Sequence, residues 1–149
     1  MYEKVAIGCT IRRMPLKAAL KEFLIKINVD FDDLGDGSHA DVARKVAEAV
    51  AQGSYSKGIL ICGTGTGMEI AANKVPGVYA ANCRNVQEAE NSRKMNDANI
   101  LTMGDISPEV AKDIVKVWLE TEFSNDERFV AEIKKIKDTE AFYCHQRSV

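Results

Sequence analysis

The segment Cys62-Gly63-Thr64-Gly65-Thr66-Gly67-Met68 holds the residues best suited to chemistry. Glycines at alternate positions let backbone N–H groups turn inward and meet a ligand with no Cβ in the way. A helix predicted to follow adds its positive N-terminal end, so the loop suits an anion. Cys62 ends an apolar run and stands against that helix start, where a thiolate is stabilised. Read alone, the same residues also make a tight strand-to-helix turn, and an isolated cysteine is most often a small buried hydrophobe. Its place directly before the loop favours a reactive thiol. The GxGxG spacing lacks the extra residue of a dinucleotide fingerprint and the Lys-Ser/Thr of a Walker loop, which puts nucleotide binding far behind.

Such a loop needs strands to hold it. Short apolar runs over 5–9, 29–34, 58–62, 78–83 and 99–104 predict strands. Helical patterns over 16–27, 40–52, 68–74, 86–95 and 108–121 fall between and after them, and an amphipathic helix over about 126–142 ends the series. Its stripe is Phe129, Ile133 and Ile136, with Glu140 and Tyr143 at the edge. Ser107 is the expected N-cap of the helix that starts at Pro108. The alternation predicts an α/β protein: a three-layer α/β/α, Rossmann-like fold with a five-stranded parallel sheet and a C-terminal helix. No linker or repeat interrupts it, so 1–149 is expected to be a single domain. In open parallel sheets ligands bind beyond the carboxyl ends of the strands. That selects 9–13, 35–39, 62–68, 83–85 and 104–107 before any other consideration.

Composition narrows the partners. The chain has 149 residues, 46% hydrophobic and 28% charged, with net charge −2. Nucleic acid and an anionic membrane are not expected as partners. No apolar run approaches the ~20 residues that span a bilayer, and the N-terminus leads directly into a strand, so the expected compartment is the cytoplasm. Cys9, Cys62, Cys83 and Cys144 form no CxxC pair, and His39 and His145 are the only histidines. Neither a metal site nor a cofactor is expected. Catalysis then rests on cysteine, carboxylates, hydroxyls and backbone dipoles.

The stretch Ile59-Leu60-Ile61-Cys62-Gly63-Thr64-Gly65-Thr66-Gly67-Met68-Glu69-Ile70-Ala71-Ala72-Asn73-Lys74-Val75-Pro76-Gly77 closely resembles the central signature of the ribose-5-phosphate isomerase B and galactose-6-phosphate isomerase family. The likeness extends to Val5-Ala6-Ile7-Gly8-Cys9, to Asn96-Asp97-Ala98-Asn99-Ile100-Leu101-Thr102-Met103-Gly104 and to Trp118-Leu119-Glu120-Thr121-Glu122-Phe123. The resemblance implies a metal-independent aldose–ketose isomerase that moves a proton of a sugar phosphate through a cis-enediolate. By the same resemblance Cys62 is the base, and Thr64 binds substrate or assists proton transfer. Backbone N–H groups of Gly63, Gly65, Thr66 and Gly67 hold the oxyanion, and Asn96 contacts sugar. It also implies a homodimer or homotetramer with active sites shared between subunits.

Departures from the family pattern cluster in the other site positions. Thr10-Ile11-Arg12-Arg13 stands where the family has Asp-His and small residues, so the sugar-binding Asp and the phosphate-binding His are absent. His39 replaces a tyrosine, Asp41 is retained, and Met95 replaces the histidine linked to ring opening. The arginine after the fifth strand is missing from Gly104-Asp105-Ile106-Ser107-Pro108. A basic pair of the last helix falls at Ala131-Glu132, with Arg128 close by. Methionine cannot shuttle a proton. The expectation is therefore an altered substrate, such as a short sugar phosphate that is already open. Arg12, Arg13 and Arg84 are candidate replacements for the lost phosphate contacts, or else solvated surface charges. His39 reads as an acid or base, or as a polar loop residue. Glu88, Glu90, Arg93 and Lys94 read as a solvated helix face. Met68 and Met95 read as site wall or core, and His145 as surface. Two other classes remain open: a non-catalytic sugar-phosphate-binding paralogue, and one subunit of a hetero-oligomeric isomerase.

Overall fold

A computed structural model describes residues 4–146. Strands β1 (Val5–Thr10), β2 (Phe31–Gly37), β3 (Lys57–Ile61), β4 (Ala80–Asn82) and β5 (Ile100–Met103) form one sheet in the order β2-β1-β3-β5-β4. Every strand pair is parallel. Helices α1 (Met14–Lys26), α2 (His39–Ala51), α3 (Thr66–Ala72), α4 (Val86–Lys94), α5 (Pro108–Glu120) and α6 (Glu127–Gln146) complete the chain.

Side chains alternate across the sheet, as the two-residue period of a strand requires. Ile7, Cys9, Ile59, Ile61, Leu101 and Met103 turn towards α1, α4 and α5, where Leu20, Ala89, Ile114 and Trp118 complete one core. Ala6, Leu60, Cys62 and Ile100 turn towards α2 and α3 and pack with Val42, Val46, Met68 and Ala72. This is the three-layer arrangement expected, and it assigns Cys62 to the α2/α3 side. Helix α2 sits close to the sheet because two strand positions lack a Cβ. One added at Gly8 would lie 2.6 Å from Val42 Cγ1, and one at Gly58 2.8 Å from Val46 Cγ1.

Several boundaries differ from expectation. The second strand begins at Phe31 instead of 29, because Asn28 adopts φ 59° and the Val29 N–H closes α1 on the Leu24 carbonyl at 2.9 Å. As an edge strand β2 pairs with β1 alone and carries no apolar alternation to mark it. Its register slips between the partners of Ile7 and Cys9. Strand β4 is short, although Val78 before it is buried. Ser107 caps α5 as expected, accepting from the Val110 N–H at 3.3 Å.

Arg93 corrects the reading of α4 as a wholly solvated face. It is buried, and Nη1 donates to Asp97 at 2.9 Å and to the Ala98 carbonyl at 2.7 Å, while Nε reaches the Thr121 carbonyl. Backbone carbonyls satisfy the guanidinium, which is how a charge in a polar heptad comes to lie inside. Helix α6 runs on to Gln146 and buries none of its described residues. Phe129, Ile133 and Glu140 are its half-buried line. Among the described residues no helix is long and apolar enough to cross a membrane.

Candidate active site

The sheet order reverses direction between β1 and β3, so the crevice for a ligand lies beyond their carboxyl ends. The first connection from β1 forms a 3-10 turn over Ile11–Arg13 instead of an open loop. The second is the glycine loop. Between them Thr10, Ile11, Arg12, Arg13, Gly37, Ser38 and Gly63 line a cleft of about 380 Å³.

Cys62 follows the last residue of β3 and is 5% exposed. Its Sγ accepts a hydrogen bond from the Gly65 N–H at 3.1 Å. Gly65 has φ +81°, and the Met103 carbonyl carbon lies 2.9 Å from where its Cβ would be, so only glycine fits. Gly63 meets nothing within 4 Å at its own Cβ position and is open to the cleft. Thr64 is exposed, its Oγ1 accepting from the Thr66 N–H at 3.2 Å. Burial pushes the Cys83 thiol up to about 11 and raises Cys9 as well, so neither is a competing thiolate at neutral pH.

The flanking groups divide into two sets. Arg13 forms an ion pair with Asp105 at 2.7 Å, and its buried Nε has no acceptor among the described residues. Arg12 is exposed at the same cleft. His39, the first residue of α2, lays its ring on Gly67, with Cδ2 2.9 Å from the Cβ position there. Asp41 gives its N–H to the capping Ser38 Oγ at 3.1 Å, in the same first turn. The loop, Thr10, Arg12, Arg13 and His39 are thus gathered at one end of the sheet. Arg84 also stands beyond a strand's carboxyl end, but it pairs with Glu88 at 2.8 Å, within the first turn of α4. Asn96 and Arg128 lie elsewhere. Asn96 lines a second cleft with Lys57 and Asn99, at the start of β3 and ahead of β5, the opposite end of the sheet. Arg128, the second residue of α6, pairs with Asp126 at 2.9 Å, just after Ser124 meets the end of α4.

Four further residues, none assigned a role from the sequence, hold the loop. Asn82 Nδ2 donates to the Thr64 carbonyl at 3.2 Å, and Thr102 Oγ1 donates to the Gly65 carbonyl at 2.9 Å. Glu69 accepts from the Asn82 N–H at 3.0 Å, and the Asp105 N–H donates to the Gly63 carbonyl at 3.1 Å. Thr102, a fully buried hydroxyl in an otherwise apolar strand, was the available signal.

The family profile described as Ribose/Galactose Isomerase matches residues 5–136. The chain belongs to that family. Ribose-5-P isomerase B of Listeria innocua is 42% identical over 128 residues, covering 81% of this chain and 86% of that protein. D-erythrulose-4-phosphate isomerase of Pectobacterium atrosepticum is 38% identical over 127 residues, covering 80% and 84%. The solved ribose-5-phosphate isomerase B of Clostridium thermocellum superposes with a TM-score of 0.90 at 42% identity, over 94% of this chain and 99% of that one. The family is one of sugar-phosphate isomerases. Relatives in this Ribose/Galactose Isomerase group named for five-carbon and four-carbon sugar phosphates stand at comparable identity, so membership alone leaves the substrate open.

Proposed function

We propose that the chain interconverts an aldose phosphate and a ketose phosphate through a cis-enediolate, without a metal, and that its substrate is a short, open-chain sugar phosphate rather than ribose 5-phosphate. The observation that carries this reading is the Cys62 sulfur, held at the end of β3 by the Gly65 N–H at 3.1 Å, next in the chain to Gly63, which lines the cleft with Arg12 and Arg13. Cys62 takes a proton from the carbon next to the carbonyl and returns it to the neighbouring carbon. Thr64, exposed in the same loop, carries the proton between the two oxygens, and loop N–H groups stabilise the oxyanion. Arg12 and Arg13, which line the cleft, hold the phosphate in place of the missing histidine.

The open-chain substrate follows from Met95, which cannot open a cyclic hemiacetal by proton transfer. Asn96, at the far end of the sheet from Cys62, supports a site completed by a second subunit, since within one chain it cannot reach the sulfur's cleft. The active form on this reading is a homodimer or larger.

The test is proton exchange by NMR in deuterated water, using four- to six-carbon sugar phosphates. The expected result is deuterium at the carbon next to the carbonyl of an acyclic tetrose phosphate, lost in Cys62→Ala. Turnover of ribose 5-phosphate alone would reject the open-chain substrate. No exchange with any of them, in a folded oligomer, would leave a binding paralogue or a chain that needs a different partner.

A further inference from the structure

We propose that Asn82 and Thr102 are positioning residues for the Cys62 thiolate, acting through the two peptide units of the glycine loop. The inference rests on the reading of Cys62 as the base.

A trans peptide points its C=O and its N–H to opposite sides, so holding one end aims the other. In the Thr64–Gly65 peptide, the carbonyl accepts from Asn82 Nδ2 at 3.2 Å, and the N–H on the far side meets Cys62 Sγ at 3.1 Å. In the Gly65–Thr66 peptide, the carbonyl accepts from Thr102 Oγ1 at 2.9 Å, and the N–H reaches Thr64 Oγ1 at 3.2 Å. Both loop peptides are therefore fastened at both ends. Glycine at position 65 makes the fastening necessary. With no Cβ, the backbone there is free to rotate, and a flipped 64–65 peptide would turn a carbonyl oxygen towards the sulfur where an N–H now stands. That exchange reverses the sign of the dipole facing a thiolate.

The anchors are themselves held. The Asn82 N–H donates to Glu69 Oε1 at 3.0 Å, and the Thr102 hydroxyl stands 3.3 Å from Asn82 Oδ1. Thr102 is fully buried, and a Cβ at Gly65 would run into the Asn82 carboxamide. Two polar side chains at the tips of neighbouring strands β4 and β5 thus set which dipole the sulfur meets.

The experiment is site-resolved iodoacetamide alkylation of Cys62 across pH, read by mass spectrometry, in the wild type, Asn82→Leu, Asn82→Asp and Thr102→Val. The expected result is a pH profile displaced upward in the variants, with alkylation at neutral pH reduced about tenfold, the usual scale for a charge-assisted hydrogen bond. Thr102→Ser, which keeps the hydroxyl, restores the wild-type profile. Mere loosening of the loop would change access and raise the plateau rate without displacing the profile. Superimposable profiles in folded Asn82→Asp and Thr102→Val overturn the proposal. Should Asn82→Leu fail to fold, Thr102→Val, which removes an anchor without changing the local charge, carries the same decision. Alkylation needs no turnover, so a Cys62→Ala variant that isomerises as fast as the wild type would defeat the base assignment while leaving this result separately legible.

Discussion

Asp105 joins two loops at once: its carboxylate pairs with Arg13 at 2.7 Å, and its backbone N–H donates to the Gly63 carbonyl at 3.1 Å. The connection after β1 is thereby tied to the glycine loop across the ends of β3 and β5. The ion pair is exposed on the Asp105 side, so it contributes little to stability, and its effect is to aim Arg13.

Arg13→Gln is accordingly expected to act on binding. KM for the phosphorylated substrate should rise about tenfold or more, the scale of one lost charge-assisted hydrogen bond. Thermal stability and the rate at saturation should change little. Steady-state kinetics beside a thermal melt checks this, and a fall in kcat at unchanged KM would remove Arg13 from the phosphate.

Glycines of the loop should separate by role. Gly65→Ala meets both a φ of +81° and the Met103 backbone, so a loss of about 2–4 kcal/mol is expected in chemical denaturation. Gly63→Ala meets nothing within 4 Å and should fold normally, yet its methyl group enters the cleft and should impair turnover. Equal destabilisation of the two would contradict this division.

The β2 edge predicts an acid response. Burial pushes Asp33 up, but hydrogen bonds from Lys17, Lys21 and the Gly35 N–H outweigh it and bring the carboxyl to about 2, below the ordinary 3.8. A group lowered on folding stabilises the native state above its unfolded value and loses that contribution as pH falls through the folded value. Stability should therefore decline between about pH 4 and pH 2, by on the order of 2 kcal/mol from this group. Denaturation curves across that range would show it, and Asp33→Asn should flatten that component.

A shared site predicts complementation. Cys62→Ala and Asn96→Ala homo-oligomers should each be impaired. Unfolding and refolding them together should restore about a quarter of wild-type activity, because half of the random dimers are mixed and each holds one intact site. No recovery, in samples shown to exchange subunits, would return Asn96 to a role outside the cleft of Cys62.

Much of this architecture is legible in the chain because strands buried on both faces leave continuous apolar runs, as at Gly58-Ile59-Leu60-Ile61-Cys62. The glycine loop is equally visible, since a tight turn under a ligand needs residues without a Cβ, and the family signature around it is long. Edge strand β2 was less so, because one-sided pairing leaves a polar sequence, Phe31-Asp32-Asp33-Leu34-Gly35-Asp36-Gly37, with no core period. The burial of Arg93 is hidden for a related reason: its guanidinium is received inside by Asp97 and the Ala98 carbonyl nearby, and by the Thr121 carbonyl, which lies far along the chain.

Sequence by itself thus determined the layers and the loop, both of which depend on local spacing and hydrophobic pattern. Tertiary structure alone decided which groups share a cleft. It brought Arg12, Arg13 and His39 to the end of the sheet that holds Cys62, and it carried Asn96 and Arg128 to other parts of the fold. It also set Asn82 and Thr102 under the loop. Those relations arise from parallel strands folded side by side, where residues eighteen or more positions apart become neighbours at the strand tips. No periodicity along the chain records that distance.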